Sequence, residues 1–213
     1  STLSVDNNVY VYPSFSGSFV FSELTKLGDL MPYGKLRMSW AQVGSDTDPY
    51  QLGLVYTKSK FAYPGYTIGS IYNNTIPNKD LKPTKTNSFE MGLEMKFLKN
   101  RIGLDVTYYT QSSKNQIMGM ASSWTSGYTY RLINAGEIQN KGIEIALNTR
   151  PIQVKDFSWD LNLNFSKNSN KVKKLVDGMD MFELEKAPWL DVQVAAKVGE
   201  NFGSIVGPDF KRS

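Results

Sequence analysis

Acid–base chemistry in this chain would have to rest on carboxylates, because its 213 residues include neither histidine nor cysteine. That removes imidazole catalysis, thiol nucleophiles, disulfides and the common zinc sites together. Glu90 and Glu94 form the first candidate pair. On a strand they stand about 13 Å apart, beyond the roughly 5–9.5 Å that glycosidases use, so they read as charges on one polar face. Glu183 and Glu185 are closer but lie in irregular sequence. Asp46-x-Asp48 offers oxygens to Ca²⁺, yet no further oxygen ligands follow in pattern. Gly199, Gly203 and Gly207 lack phosphate-loop spacing, and no helix pattern follows them. The expectation is a chain without catalytic residues, metal site or cofactor, and so not an enzyme.

Aromatic residues carry more. Tyr50, Tyr56, Tyr63, Tyr66 and Tyr72 share one long polar stretch broken by prolines, and Trp124, Tyr128 and Tyr130 share the next. Such rings stack on sugar faces or pack on a partner. They also pack on one another, since loops of this length need a core of their own. Both readings stand level, and the eight residues are the candidate substrate-binding set. Lysines are otherwise spread through a chain of net charge +4, which gives nucleic acid no basic stripe to bind. The exception is the cluster Lys167, Lys171, Lys173 and Lys174, read first as a solvated run.

The elements that position these groups are strands. Phe89, Met91, Leu93, Met95 and Phe97 alternate with Glu90, Gly92, Glu94 and Lys96. After residues 98–101 the alternation resumes as Ile102, Leu104, Val106 and Tyr108. A period of two, a tight polar turn and a period of two again predict an antiparallel hairpin. Further strands are predicted around Phe15–Phe19–Phe21, Leu36–Met38–Trp40, Ile143–Ile145–Leu147 and Trp159–Leu161–Leu163–Phe165. Residues 43–86 read mostly as loop, with some strand over 51–56. Residues 118–133 read as a second loop, 150–157 as a turn containing Pro151, and the pattern dissolves after Lys167. Weak alternation returns at Val192, Val194 and Ala196.

Two features bear on what the apolar face meets. Connections after the first, third and fifth strands (22–34, 98–101 and 150–157) are shorter than those after the second, fourth and sixth. Outer-membrane barrels sort their loops this way, short towards the periplasm and long outside. Aromatics also flank the aliphatic stretches: Phe89 and Phe97 around Met91–Leu93–Met95, Trp159 and Phe165 around Leu161–Leu163. Rings at both rims match the interfacial girdles of a lipid-facing band. No apolar run reaches 18 residues, a test that leaves barrels untouched. The competing architecture is a soluble β-sandwich carbohydrate-binding module, in which the apolar face would interdigitate with a second sheet.

Tyr12-Pro13-Ser14-Phe15-Ser16-Gly17, then Leu36-Arg37-Met38-Ser39-Trp40-Ala41-Gln42-Val43-Gly44, resembles the SusC/RagA family of TonB-dependent outer-membrane transporters. Leu81-Lys82-Pro83-Thr84-Lys85-Thr86 followed by Phe89-Glu90-Met91-Gly92-Leu93 continues the likeness. Asn134-Ala135-Gly136, Asn140-Lys141-Gly142-Ile143-Glu144 and Gly199-Glu200-Asn201-Phe202-Gly203-Ser204 extend it in order. Thr84, where the family often has Glu, and Ser45-Asp46, where Gly-Asn is usual, depart from it at loop positions. The resemblance implies an all-β, antiparallel up-and-down transmembrane β-barrel, with residues 1–213 an incomplete segment of about 22 strands. Six strands, external loops and the start of a further strand would lie here, with the plug domain, TonB-box region and final strand elsewhere. It implies import of nutrient oligomers, glycans or peptides, across the bacterial outer membrane. The implied partners are a SusD-like lipoprotein, the TonB–ExbB–ExbD complex acting through the absent N-terminal part, the oligosaccharide or peptide substrate, and outer-membrane lipid including lipopolysaccharide.

Overall fold

The computed structural model describes residues 3–4, 9–25, 28–49, 51–58, 64–66, 68–71, 74–176, 178–188 and 191–208. Its strands in chain order are β1 (Ser14–Val20), β2 (Tyr33–Ser45), β3 (Tyr56–Lys58), β4 (Gly69–Ile71), β5 (Thr75–Ile76), β6 (Thr84–Phe97) and β7 (Ile102–Lys114). There follow β8 (Ile117–Ala121), β9 (Tyr130–Asn134), β10 (Glu137–Val154), β11 (Phe157–Lys174), β12 (Met181–Lys186), β13 (Gln193–Lys197) and β14 (Ser204–Val206). A single helical turn, α1 (Ser22–Thr25), lies between β1 and β2.

The long strands form one antiparallel meander in the order β1-β2-β6-β7-β10-β11. Each long strand pairs with the next long strand in the chain, joined by shorter connections at one end and long ones at the other. Their register places the apolar positions in common rows. Leu36, Leu93, Val106, Ile145 and Phe165 are successive cross-strand partners, and so are Met38, Met91, Tyr108 and Ile143. The alternating apolar rows of the six strands thereby fall on one face, the result a period of two gives when the register is kept.

That face is bare. Phe15, Phe19, Met38, Met91, Leu163 and Phe165 are all exposed, Phe15 at 82%. The hydrophobic cluster of the chain lies elsewhere, around Val172, Leu175, Phe182 and Ala196 with Met118, Met120 and Phe202 against it. Among the described residues no second sheet interdigitates with Met91, Leu93, Leu161 or Leu163, so the sandwich is not what this chain builds. The aromatic rims also step across the sheet. The upper one descends from Trp40 and Phe89, which are partners, to Tyr108 and then Phe165. The lower one descends in the same sense, from Phe97 to Trp159 and Phe157. Strands inclined roughly 35–45° to a bilayer normal require that stepping.

Turn chemistry explains the short end. Leu98, Lys99 and Asn100 all take positive φ (52°, 57° and 65°), and the neighbouring connection holds them there. Leu98 N–H donates to Leu30 C=O (3.1 Å), Lys99 N–H to Asp29 C=O (3.2 Å), and the Lys99 ammonium meets Asp29 at 3.1 Å.

Several sequence expectations change. The 150–157 turn is only Lys155-Asp156, and β10 runs through Pro151 to Val154. A register shift between Thr149 and Ile152 absorbs the proline, which has no N–H for a ladder and so sits at a bulge. Strand β11 does not end at Lys167 but continues to Lys174. Apart from the buried Val172 both of its faces turn polar there, so the hydrophobic alternation stops while the hydrogen-bond ladder to β10 persists. Residues 118–133 are not simply loop, since β8 and β9 pair antiparallel across them. The strand expected over 51–56 is displaced towards the C-terminus: β3 starts at Tyr56 and pairs with β4. The weak alternation near Val194 is real, as β13 lies between β12 and β14.

Candidate functional site

The inner face is polar and organised by one arginine. Arg37 projects from β2, and the ladder puts Gly92 of β6 beside it and Thr107 of β7 beyond. The guanidinium lies across Gly92: a Cβ there would come within 2.6 Å of Arg37 Cζ. Passing through this slot, Arg37 donates from Nη1 and Nη2 to the two Asp105 carboxylate oxygens at 2.8 and 2.9 Å. Nη2 also donates to Thr107 Oγ1 at 2.6 Å, and that hydroxyl donates to Asp105 Oδ1 at 3.1 Å. Glu90 approaches Arg37 Nε at 3.9 Å. A planar fork with five donors suits two-point carboxylate recognition, which Lys could not supply. The bonded triad spans three strands and leaves Thr107 9% exposed. Glu144, Ala146, Asn164 and Ser166 complete a 390 Å³ concavity beside it. Tyr109 of β7 repeats the device two strands along. Its ring crosses Gly142 of β10, where a Cβ would come within 2.6 Å of Tyr109 Cζ.

The long connections form a platform at the other end of the strands. Residues 46–83 and 115–136 are joined by a parallel pairing of β5 with β9, next to β8. Asn134 locks them: its Nδ2 donates to Lys82 C=O (2.7 Å) and Asn115 C=O (3.0 Å), while its Oδ1 accepts from Lys82 N–H (2.7 Å). Asn78 Nδ2 donates to Leu132 C=O at 3.2 Å, and Thr129 N–H donates to Asn74 C=O at 2.8 Å. Leu81, wholly buried, sits among these bonds.

The candidate rings divide over this platform. Tyr56 and Tyr66 are 66% and 74% exposed, Tyr130 on β9 is exposed, and Tyr128 is half-buried. Trp124 opens a 3₁₀ turn over Trp124–Ser126. Tyr50, Tyr63 and Tyr72 lie outside the described residues. Two rings outside the candidate set, Tyr10 and Tyr12, stand 6.0 Å apart and line a 430 Å³ groove with Gln42, Lys82, Pro83 and Asn115. They precede Pro13 outside any alternating pattern, so periodicity could not single them out. Of the carboxylate candidates, Glu90 faces Arg37 and Glu183 and Glu185 lie on β12 either side of a register shift. Asp46 accepts from Thr47 N–H at 2.9 Å.

Comparison with known proteins decides the family. The family model of the TonB-dependent receptor-like β-barrel matches residues 2–182. The chain belongs to that family. It is 29% identical over 218 residues to TonB-dependent receptor P3 of Formosa agariphila, covering 99% of this chain and 22% of that protein. It is 29% identical over 190 residues to TonB-dependent receptor SusC of Bacteroides thetaiotaomicron, covering 84% of this chain and 19% of SusC. A solved structure described as the RagAB peptide transporter superposes with a TM-score of 0.80 at 21% identity, over 93% of this chain and 21% of that one. The chain thus spans about a fifth of each relative. The SusC/RagA resemblance, the transmembrane barrel fold and the outer-membrane setting stand on these matches and on the bare outer face.

Proposed function

We propose that this chain is a wall section, with its external platform, of a SusC-like transporter that imports nutrient oligomers through the outer membrane. The observation carrying this reading is the sheet's division into a bare apolar face and an inner face bearing a cross-strand Arg37–Asp105–Thr107 network. A wall between hydrocarbon and an aqueous lumen needs both. Remaining strands and a plug domain would come from the rest of the protein. An open sheet edge in lipid leaves N–H and C=O groups unpaired at several kcal/mol each, so closure by further strands is a physical requirement of the reading.

The substrate would be glycan or peptide. SusC is a named relative, and the RagAB structures are described as those of a peptide transporter and importer. Exposed Tyr56, Tyr66 and Tyr130 supply faces suited to sugar rings or to a SusD-like lipoprotein lying over the platform. Energy would arrive through the TonB–ExbB–ExbD complex acting on the plug, leaving the barrel wall passive. Deleting residues 50–72 from the full protein is expected to abolish uptake while the barrel still inserts. Unchanged uptake of labelled glycans and peptides alike would remove that loop from the transport path.

A further inference from the structure

We propose that Lys141, Lys167 and Lys171 form a docking site for the phosphate groups of lipopolysaccharide, on the lipid-facing side of the barrel just outside its aromatic rim. The register places them. On β10 the outward positions include Ile145, Ile143 and Lys141, and on β11 they include Phe165, Lys167, Ser169 and Lys171. Lys141 is the partner of Ser169, Lys167 the partner of Ile143 and Lys171 the partner of Gln139. Lys167 and Lys171 are therefore the two diagonal neighbours of Lys141 across one strand pair, within about 7–8 Å at the backbone. All three are exposed.

Three like charges placed so closely on one face repel, unless an anion lies between them. Among the described residues none of the three has an ion-pair partner. The outward acid nearby is Glu137, and it is engaged by Lys114 at 3.5 Å and by Ser112 Oγ at 2.6 Å. Lys173, also exposed, adds to the same sign of charge. The height is equally specific. Phe165 and Ile143 directly below face hydrocarbon, so the ammonium groups stand where headgroups begin, on the side of the long connections and hence in the outer leaflet. Long lysine stems lie along the apolar rim while their ends reach the polar layer. Juxtamembrane lysines attract anionic lipid at this depth, and the phosphorylated lipid of this leaflet is lipopolysaccharide.

The inference rests on the transmembrane reading but fails separately from it. The full-length protein, purified in mild detergent, is assayed for co-purifying lipopolysaccharide by native mass spectrometry. The triple variant K141Q/K167Q/K171Q is expected to retain at least several-fold less, with unchanged insertion and heat-modifiable mobility, whereas K141R/K167R/K171R retains the wild-type amount. Wild-type protein is also mixed with lipid A and with lipid A stripped of phosphate, and only the former is expected to bind. Equal retention by the glutamine variant, or equal binding of the two lipids, overturns the proposal. Loss of insertion by the wild-type chain would instead overturn the barrel reading, and the lipid A comparison on wild-type protein stands even where the glutamine variant inserts poorly.

Discussion

The six-stranded sheet and the external platform are held together by different means. In the sheet a continuous ladder fixes the backbone, and each side chain answers to whichever medium its face meets. In the platform the ladders are short: β5 has two residues and β3 three. Its geometry depends on side chains that grip backbone, above all Asn134 on Lys82 and Asn115. Substitution in the sheet is therefore limited by face, whereas substitution in the platform is limited by a few polar clamps. A ring as exposed as Tyr66 is little limited by packing.

The sharpest test of the sheet half sets its two faces against each other. Leu93→Arg puts a charge midway along the outer face, between Leu36 and Val106. It is expected to cost about 2–4 kcal/mol, read as a lower urea midpoint for the full barrel in lipid vesicles. Asn148→Arg, on the inner face opposite Gly103, is expected to cost well under half as much. Equal losses would mean that the faces do not meet different media. Next in size is Gly92→Val. Its Cβ would displace the Arg37 guanidinium and break the bonds to Asp105 and Thr107, at about 2–3 kcal/mol. Because the harm passes through one neighbour, adding Arg37→Ser is expected to cost less than the sum of the single changes. Strict additivity would break the slot interpretation.

The same contrast governs what the sequence discloses. Sheet strands are legible because two media impose alternation: Phe89 to Phe97 and Trp159 to Phe165 can be read directly. Legibility ends where the outer medium changes, which is why β11 past Lys167 looks patternless although its ladder runs on. Arg37 and Asp105 lie 68 residues apart, and only the register brings them together, so no local pattern marks the pair. Platform elements are worse served. β8 and β9 carry apolar runs without alternation, and their pairing depends on Asn134 and β5, contacts that span residues 74 to 134. Of the candidate rings, Tyr56, Tyr66 and Tyr130 are exposed, while Tyr10 and Tyr12 lie outside the candidate set because periodicity marked neither as a binding ring.

Breaking the platform clamp should have a smaller and more local effect than either sheet change. Asn134→Ala removes two bonds to Lys82 and one to Asn115, worth about 1–2 kcal/mol between them once water replaces part of the loss. Amides over residues 74–83 are expected to exchange hydrogen faster in the variant, with β6 and β7 protected as before. Were β6 to loosen equally, platform and sheet would form one cooperative unit, and the contrast between them would fail.

The smallest effect is expected at the short-turn end, where the sheet itself departs from regularity. Lys99 holds φ of +57° between two other residues of positive φ, a conformation that costs a non-glycine residue about 1–2 kcal/mol. Its exposed contact with Asp29 at 3.1 Å returns little, as surface pairs generally contribute about 0–1 kcal/mol. Lys99→Gly removes the backbone strain and the ion pair together, and loosens the unfolded chain, which opposes part of the gain. A net rise of about 0.5 kcal/mol is expected in stability, read from the urea midpoint. A fall would show that the Lys99–Asp29 contact, and not the Leu30 and Asp29 carbonyls, keeps this turn in place.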